Sequence, residues 1–525
     1  VTAPAKAADG DAERGREPYR PGELALSEAE MLQAGYRAVE TVVARLRHVA
    51  ADRPHALAAP AELRALIGEP VPEDGGDLTD ALEWAADHVL PVGVRFDHPR
   101  CFAFVPTTGN YPAVLADALA AAFLSVPGAW FVGAGPTQLE LTTLGWLCEL
   151  LGLPRTHGGL FVSGGSVANL TALAAARDHR AGGEGELARA RLYCSTQAHP
   201  SVARAAHLIG LRREQLIALP PGPGLRLAPD DVRRRVCADR ASGLLPFAVV
   251  ATVGTTGTGA IDPLPELGAL CQKYGMWLHA DGAHGAAAAI TARGRDLCAG
   301  LDRADSLTVD PHKWLFQPYE AGCVLFRRPE LLRATYRMDR HRLDNGYLLP
   351  ARARGLETNL DDYGPQQSRG LRALKLWLSL KTFGAGAFRR AVDGGIDLAE
   401  YAARQVTAHP ELRLVTPASL GILTLRYQAE SGRVPIPRPA GPAPGRATAT
   451  RFGASGARYD ADLRAEADAV QDDISAAVCA TGRAMVLTTE VRGARALRLC
   501  TINPASTRAD VDETLDLVVE AGRRL

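Results

Sequence analysis

The chain has 525 residues, 47% of them hydrophobic, enough for a large core and two or three domains. Lysine plus arginine and aspartate plus glutamate balance at 59 each, so there is no electrostatic case for a nucleic-acid or anionic-membrane partner. The nine cysteines are scattered without C-x-x-C or zinc-finger spacing, and no apolar stretch approaches the ~18 residues of a membrane span; the expectation is a cytoplasmic protein with reduced thiols.

Residues 1–23 are small, charged and Pro/Gly-bearing, lack the apolar centre of a signal peptide, and read as a disordered tail. Residues 24–108 read as a helical segment. Ser27 stands before acidic residues of a first turn, and apolar positions recur at Met31, Val39, Val42, Val43 and Leu46. The segment is too thin for a core of its own and needs the rest of the protein or a partner subunit. From 109 to 385 short apolar strands alternate with helices. The strands are expected at 159–162, 191–195, 246–252, 277–281, 306–309 and 322–327, with helices such as 166–177 and 263–274 between them. That order predicts an α/β domain with a mostly parallel sheet. An amphipathic helix over 366–383 bridges to an α+β domain at 386–525, with strands in "LGILTLRY" and "ALRLCTI" and helices near 459–482 and 507–523. Within it, 429–455 is rich in Pro, Gly, Ala and Arg and reads as a flexible insertion.

In a parallel sheet the ligand crevice lies beyond the carboxyl ends of the strands, so the residues following each strand carry the functional argument. Ser163-Gly164-Gly165-Ser166 opens a helix and is either an ordinary turn or an anion cradle. His199 precedes the next helix, as a plain loop residue or as a ring that stacks on a flat ligand and moves a proton. Thr255 and Thr256 serve the turn or offer hydroxyls to a ligand. Asp281 ends an apolar strand, where a carboxylate is costly to bury without a partner; a pyridine nitrogen is one that suits it. Lys313, in "TVDPHKWLFQPYEAG", falls at the same edge one strand–helix–strand unit later. Burial and nearby positive charge are expected to lower its pKa and free the amine for a Schiff base. His279 and His284 lack a metal-ligand spacing, and no metal is expected.

In that order, the stretches "HPRCFAFVPTTGNYPAVLADAL", "QLELTTLGWLCELLGLP", "SGGSVANLTALAAAR", "QAHPSVARAAHLIG", "ATVGTTGTGAIDPL", "WLHADGAHG", "DPHKWL" and "RALKLW" resemble the group II pyridoxal-phosphate-dependent amino-acid decarboxylases, most of all their aromatic-L-amino-acid branch. The resemblance covers most of residues 30–400, and "ALRLCTINPASTRADVDETL" extends it. It implies the fold-type I transferase architecture, with helices on both faces of the central sheet. It also implies pyridoxal 5'-phosphate as cofactor, an amino acid as small-molecule substrate, and a homodimer with sites at the interface and the N-terminal helices around the partner. Lys313 would form the Schiff base, Asp281 would face the pyridine nitrogen, and His199 would stack on the ring and help return the proton. Gly165, Ser166 and Thr256 would lie at the phosphate or ring, Ala283 beneath the ring and His312 beside the phosphate. Phe104, Pro106 and Thr107 would line the substrate pocket, and Tyr347, aligned with a small insertion, would be the loop tyrosine of the protonation step.

Three departures stand out. Asp310 replaces a frequent Asn, His284 replaces a frequent aromatic, and Pro127-Gly128 replace bulkier pocket residues, which leaves a roomier pocket or one refilled by Phe102, Phe104 or Trp130. The expected reaction is decarboxylation of an aromatic L-amino acid to its amine. The alternatives are a branched aliphatic substrate, or decarboxylation followed by oxidative deamination to an aldehyde.

Overall fold

The computed structural model describes residues 22, 24–337, 357–428 and 453–525, with side chains from 466 onward in the last stretch. Two units emerge: Val1–Asp52 with Ala56–Val94, and Arg53–His55 with Arg95–Leu525.

The first unit carries helices α1 (Glu28–His48), α2 (Pro60–Ile67) and α3 (Leu78–His88). Ser27 caps α1: its hydroxyl accepts from the Glu30 backbone N–H, and the Glu30 carboxylate accepts from the Ser27 N–H at 2.7 Å. Arg37 of α1 pairs with Glu83 of α3. Among these helices only Ala34 is buried, while Met31, Tyr36, Val39 and Trp84 stay exposed.

The second unit is built on a seven-stranded sheet: β1 (Gly158–Val162), β2 (Ala190–Ser195), β3 (Leu216–Leu219), β4 (Leu245–Thr252), β5 (Trp277–Asp281), β6 (Ser306–Val309) and β7 (Gly322–Phe326), in spatial order β1-β7-β6-β5-β4-β2-β3. Only β7 runs against its neighbours. Six of the strands coincide within a residue with those expected. The seventh, β3, was not anticipated: it is a four-residue edge strand, Leu-Ile-Ala-Leu, in which only Ile217 is buried.

Neighbouring residues along a strand go to opposite cores. Tyr193, Val249 and Leu278 pack on one face, Leu192, Val250 and Trp277 on the other. Burial on both sides is why these strands read as unbroken apolar runs, and each such side chain contributes roughly 1.5–3 kcal/mol on burial. Helices α4 (Tyr111–Ala122), α5 (Trp130–Leu150), α6 (Gly165–Ala181), α7 (Pro200–Leu208), α8 (Pro229–Ala241) and α9 (Leu264–Tyr274) connect or cover the strands. A fully buried ion pair secures β1: Arg369 reaches Glu140 at 2.6 Å and the Phe161 carbonyl at 2.6 Å, and Glu140 accepts from the Phe161 N–H at 2.9 Å.

The bridging helix differs from its expected span. α10 covers Ala373–Ala408 and is broken at Gly384, whose φ of 72° is the left-handed region glycine tolerates. Beyond that kink the second half is amphipathic too, burying Phe388, Val392, Ile396, Ala399, Ala402 and Val406. It packs on a four-stranded antiparallel sheet, β8 (Leu412–Ser419), β9 (Ile422–Tyr427), β10 (Leu487–Val491) and β11 (Ala494–Cys500), ordered β8-β9-β11-β10. Helices α11 (Gly453–Ala480) and α12 (Arg508–Arg524) complete this part. All nine cysteines are unpaired. Among the described residues no helix is long and apolar enough to cross a membrane.

Candidate active site

The carboxyl ends of β4, β5 and β6, with the start of α6, enclose a cavity of about 370 Å³. Its lining includes all eight residues expected to hold a cofactor: Gly165, Ser166, His199, Thr256, Asp281, Ala283, His312 and Lys313.

At one end, β1 runs through Ser163 and Gly164 into α6. No side chain caps this helix, so its first N–H groups are left for a ligand. A Cβ on Gly164 would lie 3.1 Å from His312 Cε1, and one on Gly165 would lie 2.8 Å from Asp310 Oδ2. Close approach therefore favours glycine at both positions and leaves bare backbone facing the cavity. The turn after β4 separates its two threonines. Thr255 Oγ1 bonds Thr258 Oγ1 at 2.9 Å and accepts from the Ala260 N–H at 3.1 Å, which makes it part of the turn, whereas Thr256 lines the cavity.

At the other end Asp281 is buried, accepting from Asn169 Nδ2 at 2.9 Å and from the Ala283 N–H at 3.3 Å. His199 caps α7, its Nδ1 accepting from the Ser201 N–H at 3.2 Å. Burial lowers its pKa against the raising field of Asp281. His284 stands in for an aromatic in a literal sense. It stacks on Trp314 with centroids 5.3 Å apart and planes 10° from parallel, and burial pushes its pKa down to about 3, which keeps the ring neutral.

Lys313 lies between these ends, Nζ 3.0 Å from Asp310 Oδ2. His312 Nε2 is 3.6 Å from the same oxygen, and burial lowers the His312 pKa. Here one expectation is corrected. Burial does act against the lysine's charge, but Asp310 and Asp281 together outweigh it, and the Lys313 pKa is raised. The decisive neighbour is a carboxylate three residues earlier, not a cation. Asp310 Oδ1, buried in the cavity wall, has no hydrogen-bond partner among the described residues.

The pocket residues fall elsewhere. Phe104, Pro106 and Thr107 do not line this cavity. The Phe104 ring meets Phe96 edge-on at 5.7 Å, and Phe96 meets Tyr319, which does line it. Phe102 belongs to the core of the small sheet and does not refill a pocket. The Pro127 carbonyl accepts from Arg369, and Trp130 is tied by its N–H to Asn359. Tyr347 lies outside the described residues. Asn169, Ser201, Tyr319 and Glu320 also line the cavity and were not anticipated. Tyr319 and Glu320 stood within the lysine's own run, and Asn169 four residues after the glycine turn. Among the described residues no group of three or more His, Cys, Asp or Glu could hold a metal ion.

The donor set fits pyridoxal phosphate: an uncapped helix start with room only for backbone suits a phosphate, a buried carboxylate suits a ring nitrogen, and an amine lies between. Comparison with known proteins agrees. Residues 60–428 match the pyridoxal-dependent decarboxylase conserved domain. The aromatic-L-amino-acid decarboxylase of Bacillus atrophaeus is 38% identical over 497 residues, 93% of this chain and 94% of that protein. That of Cavia porcellus is 30% identical over 390 residues, 71% of this chain and 80% of that protein. In fold, the chain resembles Oryza sativa TDC with PLP and tryptamine (TM-score 0.84, 24% identity, 97% of this chain and 99% of that one). It also resembles Rhodiola rosea 4-hydroxyphenylacetaldehyde synthase (TM-score 0.81, 22% identity, 95% and 99%). The chain belongs to the pyridoxal-dependent decarboxylase family, and is a carboxy-lyase acting on an amino acid with pyridoxal phosphate as its cofactor.

Proposed function

We propose that the chain converts an aromatic L-amino acid to its amine and CO2, with Lys313 as the Schiff-base lysine. The observation that carries this is the meeting, in one cavity, of Lys313, a buried Asp281 and the uncapped glycine start of α6. The aromatic preference rests on the relatives' substrate class.

In this reading the N–H groups of Gly165 and Ser166 hold the phosphate, with Thr256 and His312 beside it. His199 and Ala283, both in the cavity lining, would hold the ring between them. Bound pyridoxal phosphate supplies a sink for the electron pair left when the carboxylate departs. Asp281 keeps a proton on the adjacent ring nitrogen, because a buried carboxylate stabilises positive charge beside it more strongly than water does. His199 is placed to shuttle the proton that replaces CO2, with Tyr347 as the second candidate. Phe104, Pro106 and Thr107 are proposed to meet the substrate side chain. A second copy of this chain is the proposed partner, covering the apolar side chains that α1 and α3 expose.

The test is a CO2-release screen of the twenty standard amino acids and DOPA, with mass detection of product. An aromatic amine supports the reading, while a branched amine replaces only the substrate. Aldehyde with peroxide replaces the outcome, the one that the name of the Rhodiola rosea protein suggests. Lys313→Ala is expected to remove both turnover and the visible absorbance of the tethered cofactor; an unchanged spectrum overturns the assignment.

A further inference from the structure

A polar chain runs through the buried interior behind Asp281, and its hydrogens can be assigned from the carboxylate end. The Trp277 indole N–H is a donor only, and it donates to Ser306 Oγ at 2.8 Å. That hydroxyl lies 2.8 Å from His279 Nδ1 and, with a proton to give and a second lone pair, donates to the ring when Nδ1 is bare, as the carboxylate end requires. Burial pushes the His279 pKa down to about 4, and a neutral imidazole that accepts at Nδ1 carries its proton on Nε2. His279 Nε2–H then donates to Asn169 Oδ1 at 3.0 Å, and Thr308 Oγ1–H donates to the same oxygen at 2.7 Å. This leaves Asn169 Nδ2 to donate to Asp281 Oδ2 and to Ser201 Oγ, each at 2.9 Å.

The carboxylate end decides the assignment. A carboxylate oxygen accepts, so Nδ2 must face Asp281 and Oδ1 must face His279, which therefore bears the proton on Nε2. Ser201 Oγ, having accepted from Asn169, donates to His199 Nδ1 at 2.8 Å. The proton of neutral His199 accordingly sits on its Nε2.

We propose that Asn169 is the positioning residue of this site: one buried amide aims the Asp281 carboxylate and, through Ser201, sets the tautomer of His199. Trp277, Ser306 and His279 fix the orientation of that amide from behind. The inference rests on the reading of Asp281 and His199 given above. It adds that the two groups are coupled through a single buried side chain of the cavity wall. Partners that orient a functional group from behind are worth about 10–100-fold where they have been removed at metal ligands, and an effect of that order is expected here.

The test uses the cofactor-loaded full chain carrying Asn169→Ala, Asn169→Asp, His279→Gln or His279→Phe. All four leave Lys313 in place and are expected to keep the cofactor's visible absorbance. Asn169→Ala and Asn169→Asp should lose about tenfold or more in kcat with little change in KM, and should shift the pH midpoint of the bound cofactor's absorbance. His279→Gln can still donate to Asn169 Oδ1 and should keep the wild-type midpoint, whereas His279→Phe fills the space without a donor and should shift it. Wild-type kcat and midpoint in Asn169→Ala and His279→Phe overturn the proposal. So does equal impairment of the Gln and Phe variants, which would assign the effect to packing. Should either Asn169 variant fail to fold, the His279 pair decides. Failure of the wild type to hold the cofactor through Lys313 sinks the functional reading itself, whereas an unmoved midpoint with cofactor in place sinks only the role of Asn169.

Discussion

Asp281 ends β5, Asp310 follows the neighbouring β6, and both line one cavity, yet they are held in opposite ways. Asp281 is met by neutral donors, the Asn169 amide and a backbone N–H. Asp310 is met by Lys313 and His312 on one oxygen and, among the described residues, by no hydrogen-bond donor on the other. A carboxylate held by neutral donors keeps its charge free to act on a ligand cation, whereas a carboxylate already paired with an ammonium has spent much of its field. The same residue type can therefore tune a ring nitrogen at one place and restrain a nucleophile at the other.

Three measurements sharpen or break that contrast. The largest expected effect is at Asp281. Asp281→Ala should retain tethered cofactor while turnover falls on the order of 10²–10³-fold, the scale of losing one preorganised electrostatic partner; near-normal turnover would remove its special standing. Next comes Gly165→Ala, which drives a methyl against Asp310 Oδ2. Overpacking of this kind costs about 1–3 kcal/mol, so cofactor affinity measured by equilibrium dialysis should weaken about tenfold. An unchanged affinity would show that Asp310 can move aside. The smallest effect is at Asp310→Asn and concerns pH. With its pKa raised, the Lys313 amine stays protonated across neutral pH, and the Asp310–Lys313 attraction stabilises the cofactor-free fold until pH climbs through that raised value. Cofactor loading needs the neutral amine, so its rate in the wild type should rise with pH. Removing the Asp310 charge should move that rise to lower pH, and superimposable loading profiles for the two proteins would refute the restraint.

Much of this was legible in the chain because the strand ends are local features. Asp281 and Lys313 each terminate or follow an apolar run, and His199 and Gly165 each begin a helix, so the order of strands alone brings them to one edge. The direction of the Lys313 shift was not legible. The sequence places His312 next to the lysine and Asp310 three residues before it, and only the folded turn decides which lies within 3.0 Å. Asn169 was hidden for another reason: it sits inside a helix, and its partners Ser201, His279, Asp281 and Thr308 come from three other segments. His279 was weighed only as a metal ligand, since a buried histidine's hydrogen-bonding partners have no signature along the chain. The edge strand β3 escaped because its four-residue apolar run, Leu-Ile-Ala-Leu, cannot be told by periodicity alone from a buried helical turn.

The reversed direction of β7 has a consequence for how this site can vary. Because β7 begins at the edge where β6 ends, the chain from Asp310 to Ala321 turns back without crossing the sheet, and Gly322 backs directly onto Gly164. Asp310, His312, Lys313, Tyr319 and Glu320 thus come from one short return, closed at both ends by strand pairing. The second half of that return braces the first: the His312 N–H donates to the Ala321 carbonyl at 3.0 Å, the Tyr319 ring lies 4.7 Å from that of His312, and Glu320 pairs with Arg372 at 2.6 Å, so a change around Tyr319 or Glu320 reaches the lysine's own neighbours.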